Sequence, residues 1–166
     1  MSTENLYNTE AKKKLTDIVE DIKVTMFATN LGGQPLSVIP MYTKKVDDVG
    51  NIWFLSGKDS DHNRDINKDK KVQLMYSDPS DMKFISIYGS AEIVTDKSVL
   101  EELYSKMDNA WFDGENDPNL SAIKVIPNEA AYWKNDSNKL VTLFKLGVAA
   151  ITGDDKEIGT SGKIKM

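Results

Sequence analysis

Between Val24 and Ser56 three runs rich in β-branched and aromatic residues follow one another with almost nothing between them. VTMFATN is separated from LSVIPMYTKKV by the glycine turn LGGQP, and DDVG then leads into NIWFLS. Connections this short cannot hold a crossover helix, so successive strands must run antiparallel, as a meander rather than as βαβ units. Pro40 lies inside the second run, Leu36 to Val46. It has no N–H to give to a ladder, which places that strand at an edge or a bulge.

The rest of the chain fits around this core. Ala11, Leu15, Ile18, Val19 and Ile22 fall on one face of a helix over Asn8 to Ile22, which Asn8 or Thr9 can cap. Asp61 to Asp69 reads as a short helix, and KVQLMYS and KFISIYGSAEIVT as strands around a PSDM turn. Leu100, Leu103, Tyr104 and Met107 give the spacing of a second amphipathic helix over Asp96 to Met107, with Asp96 as its N-cap. NAWFDGENDPNL is a loop carrying Trp111 and Phe112. A strand SAIKVIP, a shorter strand AAYWK and a final helix over Ser137 to Ile151 follow. Strands adjoining in sequence, with helices between hairpins, indicate an α+β fold: a small antiparallel barrel with helices outside it. Residues 1–152 read as one domain. The polar stretch 153–166 is expected to fray.

Composition narrows the functions available. In 166 residues there is no cysteine and one histidine, which excludes disulfides, thiolate metal sites and cysteine nucleophiles and argues against zinc. A net charge of −5 leaves no basic footprint for nucleic acid. No window is apolar enough to span a membrane, and the first residues lack a secretory pattern, so a cytoplasmic protein is expected. Phosphate-loop, dinucleotide and serine-hydrolase motifs are missing. No side chain stands out as a catalytic acid or base.

Three features remain. The polar turn after the third strand, SGKDSDHNRD, holds His62 and Arg64, the chain's single histidine and single arginine. Ser56, Lys58, Ser60 and His62 could converge on a phosphate at a helix start. Equally, with Asp59, Asp61 and Asp65 beside them, they could form a solvated charge cluster. Trp53 and Phe54 face opposite sides of their strand, so one is core and the other lines a cleft or interface, unless both are simply packed. Trp111 and Phe112 either anchor their loop or cover a ligand.

In order, the segments GQPLSVIPM, GNIWFLSGKDSDHNRDI, KKVQLMYSDP, FISIYGSAEIV, AWFDGENDPNL and IKVIPNEAAYWKNDSNKL resemble the pyridoxamine 5′-phosphate oxidase-like flavoproteins of the general stress protein branch. The resemblance runs from Asn8 to about Ile151. It implies an antiparallel split β-barrel, Greek-key-like, with peripheral helices, forming a homodimer that binds FMN at its interface, with FAD or a deazaflavin as alternatives. Carried over by position, it places Ile39, Pro40 and Met41 along the flavin ring and Leu55 against the ring or ribityl chain. Ser56 falls near the ribityl–phosphate end, Lys58, Ser60 and His62 at the phosphate, and Trp111 over the flavin from a loop. Ile39 stands where relatives commonly carry arginine, and Asp61 and His62 where they carry basic residues, which implies a weaker hold on the phosphate. The implied function is a flavin-dependent oxidoreductase of unknown substrate. The alternatives are a flavin carrier or redox sensor without turnover, or a barrel that has lost its cofactor. With Arg64 as its sole arginine and TSGKIKM at its end, the chain lacks the second anion site that oxidation of pyridoxamine phosphate itself requires.

Overall fold

The computed structural model describes residues 2–3, 6–134 and 160–165. Helix α1 spans Asn8–Ile22, as its periodicity predicts. Ala11, Leu15, Ile18 and Val19 are all buried, and they cap one end of the barrel core. Two short strands, β1 (Ser2–Thr3) and β2 (Leu6–Tyr7), precede it.

Strands β3 (Val24–Thr29) and β4 (Ser37–Tyr42) form the first hairpin, with Met26 opposite Pro40 and Val24 opposite Tyr42. The second run is two strands rather than one. After β4 the chain leaves the hairpin and makes β5 (Lys45–Val46), which pairs instead with β6 (Ile52–Gly57). Among the described residues β4 has a ladder with β3 alone, an edge position that Pro40 tolerates. Helix α2 (Asp61–Lys68) follows β6 and leads into β7 (Lys71–Asp78) and β8 (Lys83–Val94).

Helix α3 is shorter than expected, Lys97–Leu103, with Asp96 accepting from the Val99 amide as its N-cap. A 3-10 turn at Lys106–Ala110 completes the predicted helical stretch. The two strands expected after it are one, β9 (Leu120–Lys134), in which a bulge absorbs Pro127. At that bulge Gly89 of β8 lies so close to β9 that a Cβ would meet the Ile126 carbonyl oxygen at 2.4 Å. Residues 160–165, expected to fray, instead form β10 (Thr160–Lys165), antiparallel to β9 and parallel to β1 and β2. The helix expected over Ser137 to Ile151 lies outside the described residues.

The ladder runs β4-β3-β7-β8-β9, and β9 also carries β6 along its first half and β10 along its second. Because β5 returns the chain from β4 to β6, the sheet curls on itself. This is an α+β split barrel. Phe27 and Phe54 meet edge to face inside it at 5.2 Å. A second, smaller core forms where Leu100 and Leu103 of α3 pack on Leu120 and Ala122, with Trp53 and Phe112 at its margin. Among the described residues no helix is long and apolar enough to cross a membrane, and no cluster of His, Asp and Glu is arranged to hold a metal.

Candidate functional site

The split is where β4 and β6 part. At one end the backbone still joins them, the Lys44 amide donating to the Trp53 carbonyl at 2.8 Å. Beyond that point no ladder connects Ile39–Met41 with Leu55–Gly57 among the described residues. A cavity of about 620 Å³ opens there, within the ordinary size range of small-molecule sites. Strand edges facing such a gap leave backbone N–H and C=O groups in need of partners, which water or a ligand must supply.

Ile39, Pro40 and Met41 form one wall, and Leu55, Ser56 and Gly57 the other. His62 stands at the α2 end. Trp111 and Phe112 reach the cavity from the loop after the 3-10 turn, Phe112 packed on the second core and Trp111 72% exposed. Of the loop's two aromatics, then, one anchors and the other is free to cover the cavity. Trp53 does not reach it; its indole N–H donates to Asp47 at 2.9 Å, while Phe54 is core.

Two of the predicted residues lie elsewhere. Ser60 is the N-cap of α2: its hydroxyl accepts from the Asn63 amide and donates to the Gly57 carbonyl at 2.7 Å. Lys58 is exposed, and its charge acts on Asp117 in the neighbouring loop. Arg64 pairs with Asp61 and the Asp59 carbonyl on the exposed face of α2, which is the salt-bridge reading of that turn.

Ser56 lines the cavity, yet its hydroxyl is engaged. It donates to Asn63 Oδ1 at 2.9 Å, while Asn63 Nδ2 donates to Ser121 Oγ at 2.9 Å and Ser121 Oγ to the Ser56 carbonyl at 3.0 Å. All three residues are buried, so this knot fixes α2 against β6 and β9 and sets the position of His62. Asn63 was not singled out in the sequence because nothing distinguishes it there from a solvated helix residue.

His62 Nε2 lies 3.1 Å from Ser60 Oγ. The Ser60 proton is directed at the Gly57 carbonyl, so Nε2 carries the proton and donates to Ser60. In the neutral ring Nδ1 is then an acceptor, and only protonated His62 can donate from it. Burial holds the His62 pKa below its ordinary value, with Asp61 and Asp65 pulling the other way.

Lys44 and Asp108 also line the cavity, and neither was predicted. Their ion pair measures 2.6 Å, with side chains only 8% and 9% exposed. Ser105 donates to the same carboxylate oxygen from its amide and its hydroxyl, each at 2.8 Å. Burial pushes the Asp108 carboxyl up, but the bonds from Lys44 and Ser105 outweigh it and hold the group below the usual carboxylate range.

The family model described as pyridoxamine 5′-phosphate oxidase like matches residues 10–157. General stress protein 26 of Bacillus subtilis (strain 168) is 24% identical over 123 residues, spanning 72% of this chain and 86% of its own length. A crystal structure described as a general stress protein 26 from Jannaschia sp. CCS1 matches with TM-score 0.76 at 24% identity, covering 96% of this chain and 100% of that one. The general stress FMN/FAD binding protein from Xanthomonas citri matches with TM-score 0.67 at 25% identity, covering 79% of this chain and 93% of its own.

Proposed function

Because the chain belongs to the pyridoxamine 5′-phosphate oxidase-like family, we propose that it binds FMN in the split between β4 and β6 and serves as a flavin-dependent oxidoreductase. The observation that carries this reading is convergence. Seven of nine residues expected at a flavin on sequence grounds line one cavity: Ile39, Pro40, Met41, Leu55, Ser56, His62 and Trp111. The FMN/FAD binding of the Xanthomonas citri relative supports the same cofactor class.

The residues present suit the group. Apolar side chains from both walls accommodate a planar ring, and the open backbone edges of Ile39–Met41 and Leu55–Gly57 offer donors and acceptors to its polar margin. Bound flavin supplies hydride and single-electron transfer. The chain's own part is to orient the ring and exclude water with Trp111. At the phosphate end, His62 and the first amides of α2 hold the charge, with the exposed Lys58 in attendance. Ser60 contributes by capping that helix and fixing the His62 tautomer.

The reading extends to a homodimer. Val24, Met26, Val38 and Tyr42 are exposed apolar residues on β3 and β4, brought onto one face by the pairs Val24–Tyr42, Met26–Pro40 and Ala28–Val38. Val24, Pro40 and Tyr42 also line the cavity, so a second copy covering this face would close the flavin site as well. Light scattering should give twice the chain mass at micromolar concentration, and a monomer would sink this part of the reading.

The test of the whole is quenching of flavin fluorescence by the flavin-free protein, with riboflavin as the phosphate-free control. FMN should bind, and riboflavin should bind at least about tenfold more weakly, the equivalent of one charge-assisted contact. Failure of both to bind would overturn the flavin reading.

A further inference from the structure

The cavity has two differently charged ends. Lys44 is bonded to Trp53 near the start of β6, whereas His62 stands on α2, beyond the other end of that strand. An unpaired lysine in an apolar cavity would be the natural seat for a phosphate or carboxylate. Lys44 is not unpaired. Asp108 Oδ2 is 2.6 Å from its ammonium, Ser105 Oγ takes a second proton at 3.1 Å, and the Tyr42 ring lies 6.0 Å away. An anion approaching Lys44 would meet a carboxylate already in place, held there by Ser105. The neighbouring side chains, Val24, Tyr42, Leu55, Trp111 and Phe112, offer apolar and aromatic surface.

We propose that Asp108 determines specificity: by cancelling the charge of Lys44 it makes this end of the cavity reject anions and accept an uncharged planar aromatic molecule. The inference rests on the flavin reading in one respect, that this is where a molecule meeting the ring would enter. The anionic part of a ligand belongs at the His62 end and the neutral part at the Lys44–Asp108 end.

A matched pair of fluorescent probes tests this without any redox reaction. N-phenyl-1-naphthylamine is uncharged, and 8-anilino-1-naphthalenesulfonate is the same skeleton carrying a sulfonate. At about pH 8, where the imidazole of His62 is neutral and its end offers no full cation, the flavin-free full chain should bind the uncharged probe at least about tenfold more tightly, since a desolvated sulfonate finds no free cation in the cavity. Asp108→Asn frees Lys44 and should tighten the sulfonate about tenfold relative to the uncharged probe. Lys44→Met leaves the carboxylate alone and should weaken the sulfonate further, which keeps the test decisive if the first variant does not fold by circular dichroism. Trp111→Ala should weaken the uncharged probe severalfold, since it removes an aromatic contact from that end of the cavity. Equal binding of the two probes by the unmodified chain, indifference of the sulfonate to either charge variant, or indifference of the uncharged probe to Trp111→Ala would each overturn the proposal. FMN that fails to bind would sink the flavin reading and leave the probe ratios standing.

Discussion

Lys44 and Asp108, sixty-four positions apart in sequence, meet at 2.6 Å with both side chains nearly buried, and so tie the end of β4 to the 3-10 turn that carries Trp111. Removing one member leaves the other charge desolvated and unpaired, which typically costs about 3–5 kcal/mol. Lys44→Ala and Asp108→Ala should each lower stability in urea by that order. The double variant should cost clearly less than the sum. A strictly additive cycle would show that the two groups are not energetically coupled.

The Ser56–Asn63–Ser121 knot predicts a graded series. Asn63→Ala removes the side chain that bonds both buried serine hydroxyls to α2, leaving them only each other and the Ser56 carbonyl, and should cost about 1–3 kcal/mol. Ser60→Ala removes the helix cap together with the contacts to the Gly57 carbonyl and His62, and should cost about 1 kcal/mol. Both should loosen FMN by displacing His62, and thermal melts together with flavin titration read the two effects separately. If the Ser60 variant proved the less stable, α2 would depend on its cap more than on the knot.

His62 makes both stability and affinity depend on pH, in opposite directions. Burial lowers its pKa in the folded chain, whereas the unfolded chain protonates at the ordinary 6.5. The unfolded state therefore binds more protons between those values, and the stability of the flavin-free protein should be full above 6.5 and decline as pH falls through that window. FMN affinity should instead fall as pH rises through the lowered His62 pKa toward neutrality, because only the protonated ring donates from Nδ1. His62→Gln should flatten the affinity profile, as fluorescence titration at a series of pH values would show. A profile unchanged by the substitution would remove His62 from the phosphate end.

Gly89 has no room for a side chain. A methyl group would press on the Ile126 carbonyl at 2.4 Å, with backbone on both sides of the bulge. Gly89→Ala should destabilise by about 1–3 kcal/mol, the usual cost of overpacking, whereas Gly32→Ala, where nothing lies within 4 Å, should change stability by far less. Paired denaturation curves of the two variants make the comparison.

What the sequence made legible is local and periodic. The spacing of Ala11, Leu15, Ile18 and Val19 defines α1 to the residue, and Pro40 marks the edge strand from which the cavity opens. The family resemblance brought residues from three separated segments to one cavity, which periodicity alone could not do. Lys44 and Asp108 are not legible in the sequence, because one lysine and one aspartate among many become distinctive only when a fold brings them together. The turn's chemistry and the resemblance both point Lys58 and Ser60 to a phosphate; in the fold Lys58 is exposed and the Ser60 hydroxyl caps the first turn of α2, so neither lines the cavity. The single strand β9 was divided in two at Pro127 because a proline ends a ladder unless a bulge receives it, and the receiving glycine lies thirty-eight residues earlier.

Strand β9 belongs to both halves of the sheet, carrying β6 on its first residues and β10 on its last while β8 runs along its whole length. Both β6 and β10 take a ladder from β9, at separate stretches of it, so loss of that one strand would release both at once. Its amides at Ile123, Val125 and Tyr132 should be among the last to exchange with solvent deuterium, doing so only when the whole chain unfolds at once.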